Sequence, residues 1–199
     1  ATISIKLPEE SNLVSNENTI LGNTVLYGAT SGKLFAAGQA GERFAVRNSG
    51  ATTVIEGCDS NGCEYMTGGM VVILGEVGDN FAAGMTGGMA FIYDKSQQFT
   101  KKVNPESVVW QTVETDYWKE ILKNLISEHS KETGSEFSRN IIKNYDGLID
   151  SILLGCTELP IVIDEDYFLG KKVISSIDEY INHITVSYTH LTLPTKRGG

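Results

Sequence analysis

The chain is short of cysteine and of positive charge, and it has no long apolar run. Its three cysteines, Cys58, Cys63 and Cys156, are an odd number without the spacing of a disulfide framework, which predicts a reducing compartment such as the cytoplasm. Its 16 lysines and arginines are outnumbered by 25 aspartates and glutamates, giving a formal net charge of -9 at pH 7. That charge disfavours nucleic acid and anionic membranes as partners. No apolar run reaches the roughly 20 residues that span a bilayer, and the first residues lack the pattern of a signal peptide.

What the chain does have is glycine, 21 residues in 199, arranged in an internal repeat. The pentapeptide Met-Thr-Gly-Gly-Met occupies Met66–Met70 and recurs 19 residues later at Met85–Met89. At the same interval, Gly50, Gly69 and Gly88 each open a short run of β-branched or aromatic residues. Such runs without a helical period are typical of coils that stack, because no coil can bury its apolar face alone. The repeat therefore predicts a β-helix with glycine at its corners.

Four charged residues are embedded in this repeat: Glu42, Arg43, Arg47 and Glu64. One interpretation makes them contacts to further domains. The other makes them solvated corner residues or ion pairs along the coil. We favour the second interpretation, because exposed charges are the ordinary way for a coil surface to meet water.

Asparagines and cysteines in the repeat also favour structural roles. Asn48, Asn61 and Asn80 sit near predicted turns, where a short amide can bond the backbone. Cys58 and Cys63 lack a second cysteine pair or nearby histidines for zinc. We expect both to be small residues packed near a corner of the β-helix.

After the repeat the pattern changes from strands to helices. From Thr115 to Ser130 apolar residues fall three or four apart, which predicts one amphipathic helix. A capping box at Thr133–Glu136 predicts the start of a second helix. The two helices should fold back as a hairpin that covers the β-helix surface. His129 lies on the first helix and has no evident catalytic partner, so we expect it to be packed or solvated.

Three segments carry a resemblance to a known family: Ala40–Ala51, Gly62–Gly69 and Gly78–Gly88. Together they resemble the glycine-repeat (GXGXG) domain that closes the large subunit of glutamate synthase. The likeness runs from about Ile20 to Asp146. It implies a right-handed single-stranded β-helix over residues 1–104 and a helical extension over residues 105–146. It also implies packing against the other domains of the large subunit, with its small subunit or ferredoxin as a further partner of the whole enzyme.

The chemistry of that family belongs to parts that this sequence does not show. In the family, glutamine hydrolysis uses an N-terminal cysteine, and glutamate forms from ammonia and 2-oxoglutarate on a barrel with FMN and an iron-sulfur cluster. Here Ala1 is no nucleophile, and the cysteines do not form a cluster-binding set. The resemblance therefore implies a structural domain that holds no cofactor and is inactive alone.

A second resemblance begins within a few residues of the first one's end. Asp150–Pro160 looks like the C-terminal catalytic segment of aspartate and glutamate racemases, in which two cysteines face each other across the substrate's α-carbon. By this resemblance Cys156 matches the second catalytic cysteine, and Thr157 matches the position beside the substrate carboxylate. The first cysteine loop of that family is not recognisable here. We interpret residues 147–185 as a racemase-like α/β fragment and residues 186–199 as a non-native tail.

Three hypotheses for function follow. The favoured one is a structural C-terminal domain of the glutamate synthase large subunit, within a chimeric chain. The alternatives are a fragment of a cofactor-independent aspartate/glutamate racemase and a free-standing β-helix interaction module. The predicted fold class is mainly β, a β-helix followed by a helical hairpin and a small α/β fragment.

Overall fold

The computed structural model describes residues 1–144 and the backbone of three short strands at 151–154, 167–168 and 171–172. The chain divides into two compact units, Ala1–Cys156 and Thr157–Gly199. The strands of the first unit are β1 (Thr2–Ile5), β2 (Thr19–Leu21), β3 (Lys33–Ala36), β4 (Gln39–Ala40), β5 (Ser49–Ile55), β6 (Thr67–Ile73), β7 (Gly87–Ile92), β8 (Val109–Gln111) and β9 (Ser151–Leu154). Its helices are α1 (Phe99–Lys102), α2 (Asp116–Thr133) and α3 (Glu136–Lys143). In the second unit β10 (Tyr167–Phe168) pairs antiparallel with β11 (Lys171–Lys172).

The main sheet of the first unit is built by stacking successive coils. Among the described residues its strands lie in the order β1-β3-β5-β6-β7-β9-β8, and the first five are parallel to one another. A parallel neighbour requires the chain to cross back between strands. The return segments also stack, through the β2–β4 pair and the isolated parallel bridges that join Ala40 to Cys58 and Cys58 to Val77. The first unit is therefore a parallel solenoid with one strand of the main sheet per coil.

The glycine repeat places the strands where it predicted them. Gly50, Gly69 and Gly88 lie near the starts of β5, β6 and β7. The register of these strands aligns Val54 with Val72, and Val72 with Phe91. The predicted coil-forming repeat is confirmed.

Strands β3, β5, β6 and β7 carry buried residues on both faces. One face packs inside the coils, where Ile55, Ile73 and Ile92 belong to the larger of two apolar clusters. The other face, which includes Phe35 and Phe91, packs with residues of α2 and α3 in the second cluster. Strands buried on both faces have nearly continuous apolar runs, as these do.

A second segment of each coil has an unusual backbone, in which every second residue has a positive φ. The non-glycine residues of this kind in three successive coils are Arg43, Ala45, Arg47, Asn61, Cys63, Tyr65, Asn80 and Ala82. Their amides bond neighbouring coils: Arg43 donates to the Ser60 carbonyl at 2.9 Å, and Cys63 donates to the Phe44 carbonyl at 2.8 Å. Glycine was expected to supply such angles at the corners, but in this segment most of them belong to residues with side chains. Each left-handed residue costs about 1–2 kcal/mol, and the satisfied amides offset that cost.

The predicted helical hairpin is confirmed, and it covers the solenoid. Helix α2 contacts β1, β3 and β5, and α3 packs back against α2. The Lys33 ammonium bonds the Glu128 carboxylate at 2.7 Å, which ties β3 to α2. None of the helices in the described ranges is both long and apolar enough to cross a membrane.

The turn of the hairpin differs from the predicted capping box. Thr133 is the last residue of α2, and Gly134 ends that helix with a φ of 71°. The cap of α3 is Ser135, whose hydroxyl accepts the Ser138 amide. Thr133 lies inside α2, where its hydroxyl donates to the His129 carbonyl and accepts the Ser135 amide, which is not an amide of α3.

Strand β9 lies beside the last parallel strand of the main sheet. It falls within the segment interpreted above as a racemase-like fragment, and it pairs antiparallel with β7 and with β8. Its register places Leu154 opposite both Met89 and Val109. Without β9 the last parallel strand, β7, would leave a row of backbone groups without partners, and pairing removes that exposed edge.

Close packing of successive coils leads to a first prediction. A β-carbon on Gly68 would overlap the carbonyl oxygen of Ser49 in the preceding coil, whereas a β-carbon on Gly22 would meet nothing within 4 Å. Neither glycine has a positive φ, so the comparison isolates the overlap. We expect Gly68→Ala to lower the free energy of unfolding by about 2–4 kcal/mol and Gly22→Ala to change it by under about 0.5 kcal/mol. Urea denaturation measures both, and equal effects would contradict the packing argument.

The division into two units leads to a second prediction, for limited proteolysis. Because the first compact unit ends at Cys156, we expect a resistant fragment that begins near Ala1 and retains β9. Mass spectrometry of the fragment gives its end. A resistant fragment that ends before Ser151 would show that the pairing of β9 does not hold this segment in the first unit.

Candidate functional site

The two residues predicted to carry racemase-like chemistry, Cys156 and Thr157, lie outside the described residues, as does the tail at 186–199. Their roles stay predictions. The other two cysteines are buried in the apolar core of the solenoid. Burial raises the pKa of the Cys58 thiol to about 12 and raises the pKa of Cys63 as well. Neither thiol is therefore a nucleophile near neutral pH, since the reactive form is the thiolate.

The charged residues of the repeat are partly paired, as the favoured interpretation predicted. The Arg43 guanidinium lies 3.5 Å from the Glu64 carboxylate of the next coil. Glu42 donates its amide to the Asn23 side chain at 3.0 Å, and its own side chain is exposed. Arg47 is exposed, and no described residue makes a hydrogen bond or ion pair with its guanidinium.

The asparagines play two different roles. Asn48 is fully buried, and its side chain bonds the backbone of Ala51 in both directions, which confirms the predicted turn role. Asn61 and Asn80 instead bond each other, and Asn80 accepts from Asn104, at 2.8 and 2.9 Å. The prediction of backbone bonding is wrong for that pair, because stacked coils bring identical side chains within reach of one another.

A buried polar network joins the hairpin to the solenoid. Seven polar or charged residues with described side chains are buried. Five of the seven are connected by hydrogen bonds at the turn between α2 and α3: Glu56, His129, Thr133, Ser135 and Ser138. Because most buried polar groups must be satisfied, this concentration makes the turn the main polar contact between the two parts.

Glu56 is the charged member of this network. It directly follows β5, and its Oε1 accepts the Ser135 hydroxyl. Burial raises the pKa of Glu56 above its ordinary value, and hydrogen bonds from Ser135 and Ser15 act in the opposite direction. Ser135 also caps α3, so one hydroxyl fixes both the helix start and its position on the coil.

Sequence reasoning missed Glu56, although a signal was present. The strand registers place it in a row with Ala37, Leu74 and Tyr93. It is the charged residue in that otherwise uncharged row, directly after an apolar run. A carboxylate at a buried position requires a hydrogen-bond donor nearby, which the sequence alone did not locate.

His129 attaches α2 to β3. Its Nε2 lies 3.0 Å from the Ala36 carbonyl oxygen, and its ring meets Phe35 edge-on, with centroids 6.2 Å apart. A carbonyl oxygen only accepts, so Nε2 carries the proton and Nδ1, which has no partner, is the bare nitrogen. Burial lowers the pKa of His129. The residue is thus a neutral packing group, one of the two roles expected for it.

The whole described solenoid, with its β9 edge, matches one family. The family model described as the GXGXG motif covers residues 1–154. The chain belongs to the GXGXG family. The match extends past Asp146, where the resemblance was expected to end.

Several large enzymes contain a segment similar to this GXGXG domain. It is 62% identical over 144 residues to the glutamate synthase [NADPH] large chain of Azospirillum brasilense, covering 72% of this chain and 10% of that protein. It is 56% identical over 128 residues to the ferredoxin-dependent glutamate synthase, chloroplastic, of Spinacia oleracea, covering 64% of this chain and 8% of that protein. It is 39% identical over 178 residues to the glutamate synthase [NADPH] large chain of Bacillus subtilis, covering 89% of this chain and 11% of that protein. The chain spans about a tenth of the length of these relatives.

The described part of the GXGXG domain does not fit a metal or cluster site. No three histidine, cysteine, aspartate or glutamate side chains are grouped within it. An iron-sulfur cluster is held mainly by thiolates, and Cys58 and Cys63 are protonated in an apolar core. What its polar residues can do is attach the hairpin to the coils.

The Glu56 environment gives a third prediction, for the pH dependence of stability. A raised native pKa means that the folded GXGXG domain binds more protons than the unfolded chain between the ordinary pKa of 4.5 and the folded value. Stability therefore falls as pH rises through this window. We expect Glu56→Gln to remove this fall and to be more stable than the parent at pH 7, since glutamine retains an acceptor for Ser135.

Denaturation midpoints from pH 4 to pH 8 measure this effect. Glu120→Gln, at an exposed position of α2, removes one negative charge without touching the network and serves as the control. If Glu56→Gln lowers the free energy of unfolding at pH 7, the negative charge of Glu56 is itself needed for stability, which would contradict the prediction.

Proposed function

We propose that the chain is the structural C-terminal domain of a glutamate synthase large subunit, serving glutamate biosynthesis without catalysing a step. The observation that supports this most directly is the 62% identity to a segment of a glutamate synthase large chain. As a right-handed single-stranded β-helix it would act as a spacer that fixes the relative positions of neighbouring domains.

The chemistry of the described residues agrees with a structural role. The buried titratable groups, Glu56 and His129, are used in holding the hairpin. The buried thiols stay protonated. FMN and an iron-sulfur cluster would belong to other parts of the whole enzyme, and so would its small subunit or ferredoxin partner.

A chain replacement tests this proposal. In the Azospirillum brasilense large chain, the matched segment would be replaced by residues 1–154 of this protein, the range that the family model covers. We expect the hybrid to form glutamate from glutamine and 2-oxoglutarate at a rate close to that of the parent, because the segment supplies shape and not chemistry. The 199-residue chain alone should be colourless and inactive.

Two outcomes would contradict the proposal. One is a hybrid that folds and carries its flavin but makes no glutamate. The other is visible flavin absorbance in the purified 199-residue chain. As a control, the hybrid would also be made with Gly68→Ala, which should lose activity together with solenoid stability.

A further inference from the structure

One exposed column of the solenoid places an arginine and a tyrosine on adjacent coils. The column contains Gly28, Arg47, Tyr65 and Gly84, all with positive φ. The first three each donate their amide to the next coil, and Arg47 donates to the Glu64 carbonyl at 2.9 Å. Backbone segments bonded in this way lie about 5 Å apart. The side chains of Arg47 and Tyr65 therefore project from the surface side by side.

Tyr65 is held in place although it is half exposed. A β-carbon on Gly84 would collide with the Tyr65 ring, so the ring lies against the bare backbone of the next coil. Its exposed fraction is 52%. An aromatic ring held in one place loses little conformational entropy when it is covered, which favours its use in binding.

Arg47 supplies a positive charge that is not neutralised within the described part of the domain. Its guanidinium has no hydrogen bond or ion pair with a described residue, whereas Arg43 on the same coil is paired with Glu64. In a chain with a formal net charge of -9, an arginine that no described residue pairs, beside a fixed aromatic ring, is complementary to an acidic group from outside. Arginine binds carboxylates through two parallel hydrogen bonds.

We propose that Arg47 and Tyr65 form a docking site for a carboxylate-bearing segment of the same large chain, located outside these residues. The inference rests on the proposed function, because the matched segment is only 10% of the Azospirillum relative and the rest of such a chain is the available partner. Arginine and tyrosine are the residue types that most often carry the binding energy of an interface. The guanidinium would bind the carboxylate, and the ring would cover the neighbouring apolar atoms.

Hydroxyl-radical footprinting tests this site in two proteins, the free 199-residue chain and the hybrid large chain that carries residues 1–154. In the free chain we expect Tyr65 to be oxidised readily, with Tyr117, which is 66% exposed, as the reference. In the hybrid we expect a several-fold drop in the oxidation of Tyr65. In the hybrid with Arg47→Glu, Tyr65 should return to the rate seen in the free chain.

The control is Lys123→Glu, which makes the same charge change at an exposed position of α2 and should leave Tyr65 protected. The Arg47 side chain makes no hydrogen bond or ion pair with a described residue, so its replacement should not unfold the coil, and circular dichroism of the free variant verifies this. Equal oxidation of Tyr65 in hybrid and free chain would overturn the inference. Protection that survives Arg47→Glu would overturn it too. Glutamate formation by the same hybrid reports separately on the proposed function.

Discussion

The close approach of successive coils is the constraint on which the rest of the structure depends. Each coil bonds the next along two segments, one formed by ordinary strands and one formed by alternating left-handed residues. Gly68 and Gly87 lie against carbonyl groups of the preceding coil, where a β-carbon would overlap Ser49 or Thr67. The glycines therefore recur because the stacked backbones leave no room for side chains, and the period of the repeat is the length of one coil.

A stacked coil with apolar residues on both faces of its strands needs a cover, and the hairpin provides it. Phe35, Val54 and Phe91 pack with apolar residues of α2 and α3. Apolar packing has little directional preference. The buried polar network adds direction, since Glu56 and the Ala36 carbonyl each accept a hydrogen bond from one position of the hairpin. The raised pKa of Glu56 is the cost of placing that carboxylate under the cover.

How much of this could be read from the sequence differs between elements. Strands β5 to β7 could be predicted because the repeat that marks them is local in the chain. The hairpin could be predicted from the helical periodicity of its apolar residues. The left-handed positions of Arg43 and Tyr65 could not be predicted, because these residues disfavour that conformation in isolation and only hydrogen bonds between coils hold it. Glu56 stood out in its row, but its partner, Ser135, lies 79 positions away. Long-range partners of this kind are not encoded in local pattern.

The hairpin also changes how the coils of the solenoid can separate when the domain unfolds. In a simple stack each coil contacts only its neighbours, so the stability of the array is a sum of local terms and end coils can separate first. Helix α2 lies across β1, β3 and β5 and contacts all three. Ser4 donates to Glu132, and Lys33 binds Glu128, so α2 is attached to two coils at once through polar contacts. Opening the first coil therefore requires breaking its contacts with a helix that is fixed to the next two. Helix α2 thus joins the first three coils to one another, in addition to the hydrogen bonds between their strands.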